Sequence, residues 1–374
     1  MTIADLAGFG SWRLTVLMTV DTVGGVWNYA ERLCAALDEI RFVWAQMGPP
    51  VLAEHRARIA RLTNVVLHES DYRLEWMADA AEDLSAGRRW LAELARREVV
   101  DLIHINGFAH ASLGIEAPSV VVAHSDVLSW WHAVHGCAAP PQWHAYRRRV
   151  AAGLAAARRI VAPSAAVMND LTTHYPVPIQ RVAIIANGID PNDYRAVPKS
   201  PKILAAGRIW DEAKNLQILD AVAPRLDWPI EIAGDVDHPE GGKARFDNVR
   251  LLGRLTAAQM AQQLASASIF VAPARYEPFG LAILEAAAAG CALVLGDIPS
   301  LRENWRGAAT FVPPDDVAAL SSALRHLIAD TGECARLADA AHRRAQRFTI
   351  RRTAAAYHAL YGELVDDAAR LETA

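Results

Sequence analysis

Short apolar runs recur along the chain, unbroken rather than alternating, each followed by a stretch with helical spacing. In the first half they are LTVLMTV (14–20), RFVWAQM (41–47), NVVLHE (64–69), DLIHI (101–105), SVVVAH (119–124), RIVAP (159–163) and RVAII (181–185). The second half repeats the pattern with KILAAG (202–207), PIEIAG (229–234), VRLLG (249–253), SIFVAP (268–273) and CALVLG (291–296). An uninterrupted apolar run predicts a strand covered on both faces, as in a parallel sheet. Alternation of strand and helix over the whole length predicts an α/β fold built of doubly wound, Rossmann-like units. From Asp315 onward the spacing is helical throughout.

The stretch IDPNDYRAVPKSP, residues 189–201, holds three prolines and few apolar positions, and reads as a linker between two domains. The expected division is residues 1–190, residues 201–349, and a final segment 350–374. A length of 374 residues suits two domains, and 52% hydrophobic against 21% charged residues supplies a large core. A net charge of −4 argues against general electrostatic capture of nucleic acid. The four cysteines, at 34, 137, 291 and 334, have no zinc-site spacing and suit reduced thiols. The run Leu14–Val20 is too short to span a bilayer or to form a signal core, so a cytoplasmic, soluble protein is expected.

In open α/β sheets, ligands bind beyond the carboxyl ends of the strands, so the chemistry is sought there. After the first run comes DTVGGVWNYAERLCAAL, where Gly24 and Gly25 permit a tight turn and the following helix offers free N–H groups to an anion. AGRIWDEAKN places Arg208 and Lys214 six residues apart at the end of a strand and the opening of a helix, cations suited to a diphosphate. In EPFGLAILE, Pro278 suits a first helical turn, leaving the N–H groups of Phe279, Gly280 and Leu281 free for phosphate oxygens. Glu277 precedes that helix and Glu285 falls about two turns in, roughly 12 Å further on, too far to share a proton as a dyad. Carboxylates so spaced suit hydroxyls at the two ends of a sugar nucleotide. Each pattern alone is equally what a plain turn, solvated charges or a helix-terminal glutamate would give.

Together they resemble a family. PARYEPFGLAILEAAAAGCALVLGDIPSLREN is similar to the E-x7-E signature of retaining glycosyltransferase family 4, which has the GT-B fold. The resemblance extends over GGVWNYAERLCAAL, DLIHINGF, VVVAHSD, RIVAPSAAVMNDL, IIANGID and AAGRIWDEAKNLQILDAV. It implies two Rossmann-like domains facing a central cleft, with the C-terminal helix crossing back to the first. It further implies transfer of a sugar, with retention, from a nucleoside diphosphate sugar, a UDP-sugar first among them, to a hydroxyl of a glycan, lipid-linked or small-molecule acceptor. No cofactor and no metal are expected. By the same resemblance Gly24 and Gly25 approach the donor phosphates, Arg208 and Lys214 grip the diphosphate, and Glu277, with the N–H groups of Phe279, Gly280 and Leu281, binds the transferred sugar. Glu285 would hold the ribose diol, His124 would lie near the reacting sugar, and Asn187 and Gly188 would sit at the hinge. Ala186 stands where the family often has proline. A nucleotide-sugar epimerase, or a sugar-nucleotide binder without catalysis, would use the same frame.

Other features add less. Asp235-Val236-Asp237 has the form of a metal-binding D-x-D but follows a strand glycine and reads as a polar turn. GFGSWR, residues 8–13, precedes a strand and is no dinucleotide fingerprint. Trp27, Trp130, Trp131, Trp143 and Trp210 fall beside the cleft segments, suited to core packing or to stacking on an acceptor. GRRWLAELARRE, residues 87–98, reads as a basic amphipathic helix, solvated or in peripheral contact with an anionic membrane.

Overall fold

The computed structural model describes residues 14–195, 197–237 and 245–372. GFGSWR and the glycines following Asp237 lie essentially outside them. The strands are β1 Thr15–Val20, β2 Arg41–Gln46, β3 Val65–Glu69, β4 Leu102–Ile105, β5 Ser119–Val122, β6 Arg159–Ala162 and β7 Val182–Ile184, then β8 Ser200–Ala206, β9 Ile230–Ala233, β10 Arg250–Gly253, β11 Ala267–Ala272, β12 Ala292–Gly296 and β13 Thr310–Val312. The helices are α1 Val26–Ala36, α2 Ala53–Ile59, α3 Ala81–Arg97, α4 Val127–His135, α5 His144–Ala156 and α6 Ala165–His174, then α7 Ile218–Val222, α8 Ala257–Ser266, α9 Leu281–Ala288, α10 Pro299–Trp305, α11 Val317–Ala329, α12 Thr331–Ala345 and α13 Ile350–Glu372.

All the apolar runs form strands, in two wholly parallel sheets ordered β3-β2-β1-β4-β5-β6-β7 and β10-β9-β8-β11-β12-β13. The strand missed from the sequence is β13, where Phe311 and Val312 run straight into Pro313 and Pro314 and leave no apolar run to read. Each sheet has a core on both faces, which is why its strands are apolar throughout. Leu17, Val43 and Ile103 point to one face of the first sheet; Val16, Phe42 and Leu102 point to the other.

The C-terminal helix α13 crosses back as expected, burying Tyr357, Tyr361 and Leu364 in the core beside α1. Its return is fixed at one place. Ile189 pairs with Thr349 as a parallel bridge, Ile350 N donates to Ile189 O at 2.8 Å, and Ile189 N donates to Phe348 O at 3.1 Å. Gly188 permits this, because a Cβ there would lie 2.5 Å from the Thr349 carbonyl.

The expected start of one helix is corrected. The helix α9 starts at Leu281, not at Pro278, because Gly280 caps it in the left-handed region at φ 83°. Glu285 is therefore about one turn in, not two. The basic helix begins at Ala81, with Arg88, Arg89, Arg96 and Arg97 exposed. Trp27 is a core residue, edge-on to Trp44 and stacked on His55. Among the described residues no helix is long and apolar enough to cross a membrane.

Candidate active site

Each sheet reverses its strand order once, between β1 and β4 and between β8 and β11. A crevice opens beyond the strand ends at such a point. Gly24 and Gly25 follow β1, Asn106 follows β4 and His124 follows β5; Arg208 and Lys214 follow β8, and Glu277 follows β11. The candidate residues thus gather at two facing switch points.

Lys214 Nζ lies 2.6 Å from Glu277 Oε2, joining the ends of β8 and β11. The loop carrying both cations is pinned from below by Asn215, whose Nδ2 donates to Pro273 O at 3.0 Å and Pro314 O at 2.6 Å. Arg208 donates from Nε and Nη2 to Asp211 Oδ2, at 3.2 and 2.6 Å. Burial pushes the Asp211 carboxyl up, but the Arg208 and Lys214 cations outweigh it and hold the group below the usual carboxylate range. The guanidinium also lies over the Trp210 ring, 5.5 Å from its centroid.

Gly24 faces Arg208 across the cleft, and a Cβ there would stand 2.8 Å from Arg208 Nη1. A Cβ on Gly25 would stand 3.5 Å from Leu281 Cδ1. These glycines do not make a left-handed turn: Gly25 caps α1 at φ −77°. Their use is room, which lets the amino end of α1 come close to Arg208 and to the start of α9. Neither α1 nor α9 has a side-chain cap or an acidic residue in its first turn, so both amino ends keep their positive character for a ligand. Phe279 is turned into the core, edge-on to Phe348, so its contribution to a ligand would be its backbone alone.

Glu285 is engaged across the two halves. Arg32 Nη2 donates to Glu285 Oε1 at 2.6 Å and to the Tyr194 hydroxyl at 2.9 Å. His124 donates from Nε2 to Asn106 Oδ1 at 2.9 Å, and the same oxygen lies 3.0 Å from His104 Nε2. The amide orientation is set by Asn106 Nδ2, which donates to Thr19 O at 2.8 Å. His104 Nδ1 meets the Tyr361 hydroxyl at 2.6 Å, on α13. Burial lowers His124 to about 4 and His104 to about 3, so both rings are neutral.

Sequence reasoning assigned no role to Asp21, Arg32, Asn106, Tyr194 or Asp211. Asp21 lies directly after β1, and burial raises its carboxyl against the opposing pull of Arg208. Its strand-end position was the available signal. Asn187 is buried in the connection between β7 and β8. Asp235 Oδ1 accepts the N–H of Asp237 at 3.1 Å, the geometry of a polar turn.

Two facing doubly wound domains, with the cations and one uncapped helix end on one side of the cleft and a second uncapped helix end on the other, have the arrangement of the GT-B class of glycosyltransferases. Residues 23–193 match the model for Glycosyltransferase Family 4 and residues 200–330 that for Glycosyl transferases group 1. The chain belongs to this family. Glycogen synthase of Mycobacterium tuberculosis is 32% identical over 203 residues, covering 50% of this chain and 49% of that protein. Phosphatidyl-myo-inositol mannosyltransferase of Mycolicibacterium smegmatis is 30% identical over 181 residues, covering 42% and 47%. The matches thus span about half the length of these curated relatives. Sucrose-phosphate synthase of Thermosynechococcus elongatus superposes with a TM-score of 0.76 at 18% identity, covering 95% of this chain and 100% of that one. Anabaena HepE, solved in complex with UDP-glucose, superposes with a TM-score of 0.73 at 16% identity over 95% and 100%.

Proposed function

We propose that the chain transfers a hexosyl group from a nucleoside diphosphate sugar to an acceptor hydroxyl, with retention at the anomeric carbon. The observation that carries this is the set at the second switch point: Arg208, which faces Gly24, the Lys214–Glu277 pair, and the uncapped start of α9, which faces Gly25. A diphosphate there meets two cations and a helix amino end, aimed where negative charge grows as the glycosyl bond breaks. Arg208 and Lys214 stabilise the leaving group. Glu277 takes hydroxyls of the transferred sugar, and Glu285 the ribose diol.

The glycosyl–oxygen bond to the diphosphate breaks as the bond to the acceptor oxygen forms on the same face. The departing phosphate oxygen takes the acceptor's proton, so no carboxylate nucleophile is required. His124, neutral and fixed through Nε2 by Asn106, keeps its Nδ1 lone pair for a sugar hydroxyl. UDP is the favoured nucleotide, supported by the UDP-glucose complex of HepE, which shares the fold. The acceptor would enter on the side of the first sheet, beyond β4 and β5.

A calorimetric screen of UDP, GDP and ADP and their sugars tests the proposal. One nucleoside diphosphate sugar should bind and be turned over. Failure of every nucleoside diphosphate to bind would overturn it.

A further inference from the structure

Arg208 is held from the other half of the molecule by a relay. Trp130, on α4 of the first half, donates from Nε1 to Asp211 Oδ1 at 3.0 Å. Asp211 is buried, with 5% of its surface exposed, and its second oxygen takes both Nε and Nη2 of Arg208. Oδ1 takes one further donor, the N–H of Ala213 at 3.0 Å. The carboxylate is thus fully occupied and has one orientation. It grips one edge of the guanidinium and leaves Nη1 facing Gly24, where the diphosphate is proposed to lie.

Resting on that reading of the cleft, we infer that Asp211 and Trp130 are positioning residues coupling closure of the two halves to the orientation of the leaving-group arginine. The Trp130 bond spans the cleft, so it exists only when the halves are together. When they part, Asp211 loses a donor and Arg208 loses part of the restraint on its rotation. Asp211 also has a cost. As an anion beside Arg208 it competes with phosphate for that charge, so it weakens ground-state binding while fixing geometry for the reaction. Removing the negative charge should therefore separate the two effects, which a role in folding alone would not do.

The experiment compares Asp211→Asn, Trp130→Phe and Arg208→Ala with the native chain, measuring UDP affinity by calorimetry and diphosphate release from UDP-glucose. Asp211→Asn should bind UDP as tightly as the native chain or up to about tenfold more tightly, while its turnover falls roughly 10- to 100-fold. Trp130→Phe keeps the ring and loses the N–H; its turnover should fall roughly 3- to 10-fold at unchanged UDP affinity. The double variant should be no slower than Asp211→Asn alone, because both changes cut one relay. Turnover within twofold of native in both single variants, with Arg208→Ala inactive, would overturn the relay and leave the diphosphate site standing. Weakened UDP binding in Asp211→Asn, in parallel with lost turnover, would also overturn it. Undiminished UDP affinity and turnover in Arg208→Ala would instead overturn the diphosphate site itself.

Discussion

Lys214 Nζ stands 2.6 Å from Glu277 Oε2, so the cation after β8 and the carboxylate after β11 are one unit before any ligand arrives. Both side chains are mostly buried, with 16% and 17% exposed, which limits solvent screening of the pair. Lys214→Ala removes a charge aimed at the diphosphate and strands Glu277. Turnover should fall about 10²- to 10³-fold, on the order of 3–4 kcal/mol of transition-state stabilisation. Steady-state kinetics on the donor checks this, and near-native turnover would place the leaving group elsewhere.

Arg32 and Glu285 form another pair, 2.6 Å apart, and this one spans the cleft. Burial works against the Arg32 charge, and Glu285 outweighs it, raising the group above its ordinary value. Glu285→Ala should weaken nucleotide affinity by about tenfold or more, roughly 1.4 kcal/mol. Each single alanine variant should also lose about 1–3 kcal/mol of stability, because it leaves the other charge uncompensated. The double variant should lose less than the sum. Urea titrations of the four proteins measure that coupling, and strict additivity would mean the pair contributes nothing.

The buried histidines give stability a definite pH dependence. His104 and His124 titrate at about 3 and about 4 in the fold, below the unfolded value near 6.5. Between those limits the unfolded chain binds more protons, so their contribution is complete above about pH 6.5 and is lost as pH falls toward 4. Glu75, which burial raises to about 7, runs the opposite way, so the histidine effect is read by difference. His104→Gln should flatten the slope of stability against pH by about one proton, near 1.4 kcal/mol per pH unit, between pH 4 and 6. Denaturant midpoints across that range measure it, and parallel curves for the two proteins would contradict the neutral buried ring.

Two glycines should respond differently to one methyl group. At Gly24 the obstacle is the end of a flexible arginine, 2.8 Å from the added carbon, so Gly24→Ala should cost little stability but displace Arg208 and lower turnover. At Gly188 the obstacle is the Thr349 backbone at 2.5 Å, which cannot step aside. Gly188→Ala should lose about 1–3 kcal/mol, the usual penalty for overpacking. Thermal melts alongside kinetics separate the two outcomes.

The sheets were readable from sequence because parallel strands buried on both faces carry their signal within four to six residues, as in LIHI or ASIFVA. The strand TFV was not, because its two apolar residues run directly into Pro313 and Pro314, whereas the equally short edge strand VAI sits in the longer apolar run RVAII. The cations and both glutamates were readable through their position after strands and their resemblance to a family. Their partners were not: Arg32 and Glu285 are 253 residues apart, Trp130 and Asp211 are 81 apart, and no local pattern announces either contact. The start of α9 was misplaced because proline favours a first turn, whereas Gly280 in the left-handed region delays it by three residues, from Pro278 to Leu281.

The stitch between Ile189 and Thr349 has a mechanical effect on the whole molecule. The outward and homeward strands of the chain run side by side there, tied by backbone bonds in both directions. Two separate tethers would let the lobes slide past each other; one tied seam leaves rotation about a single pivot. Were the halves to swing about that seam, the displacement at any point of the mouth would grow with its distance from it.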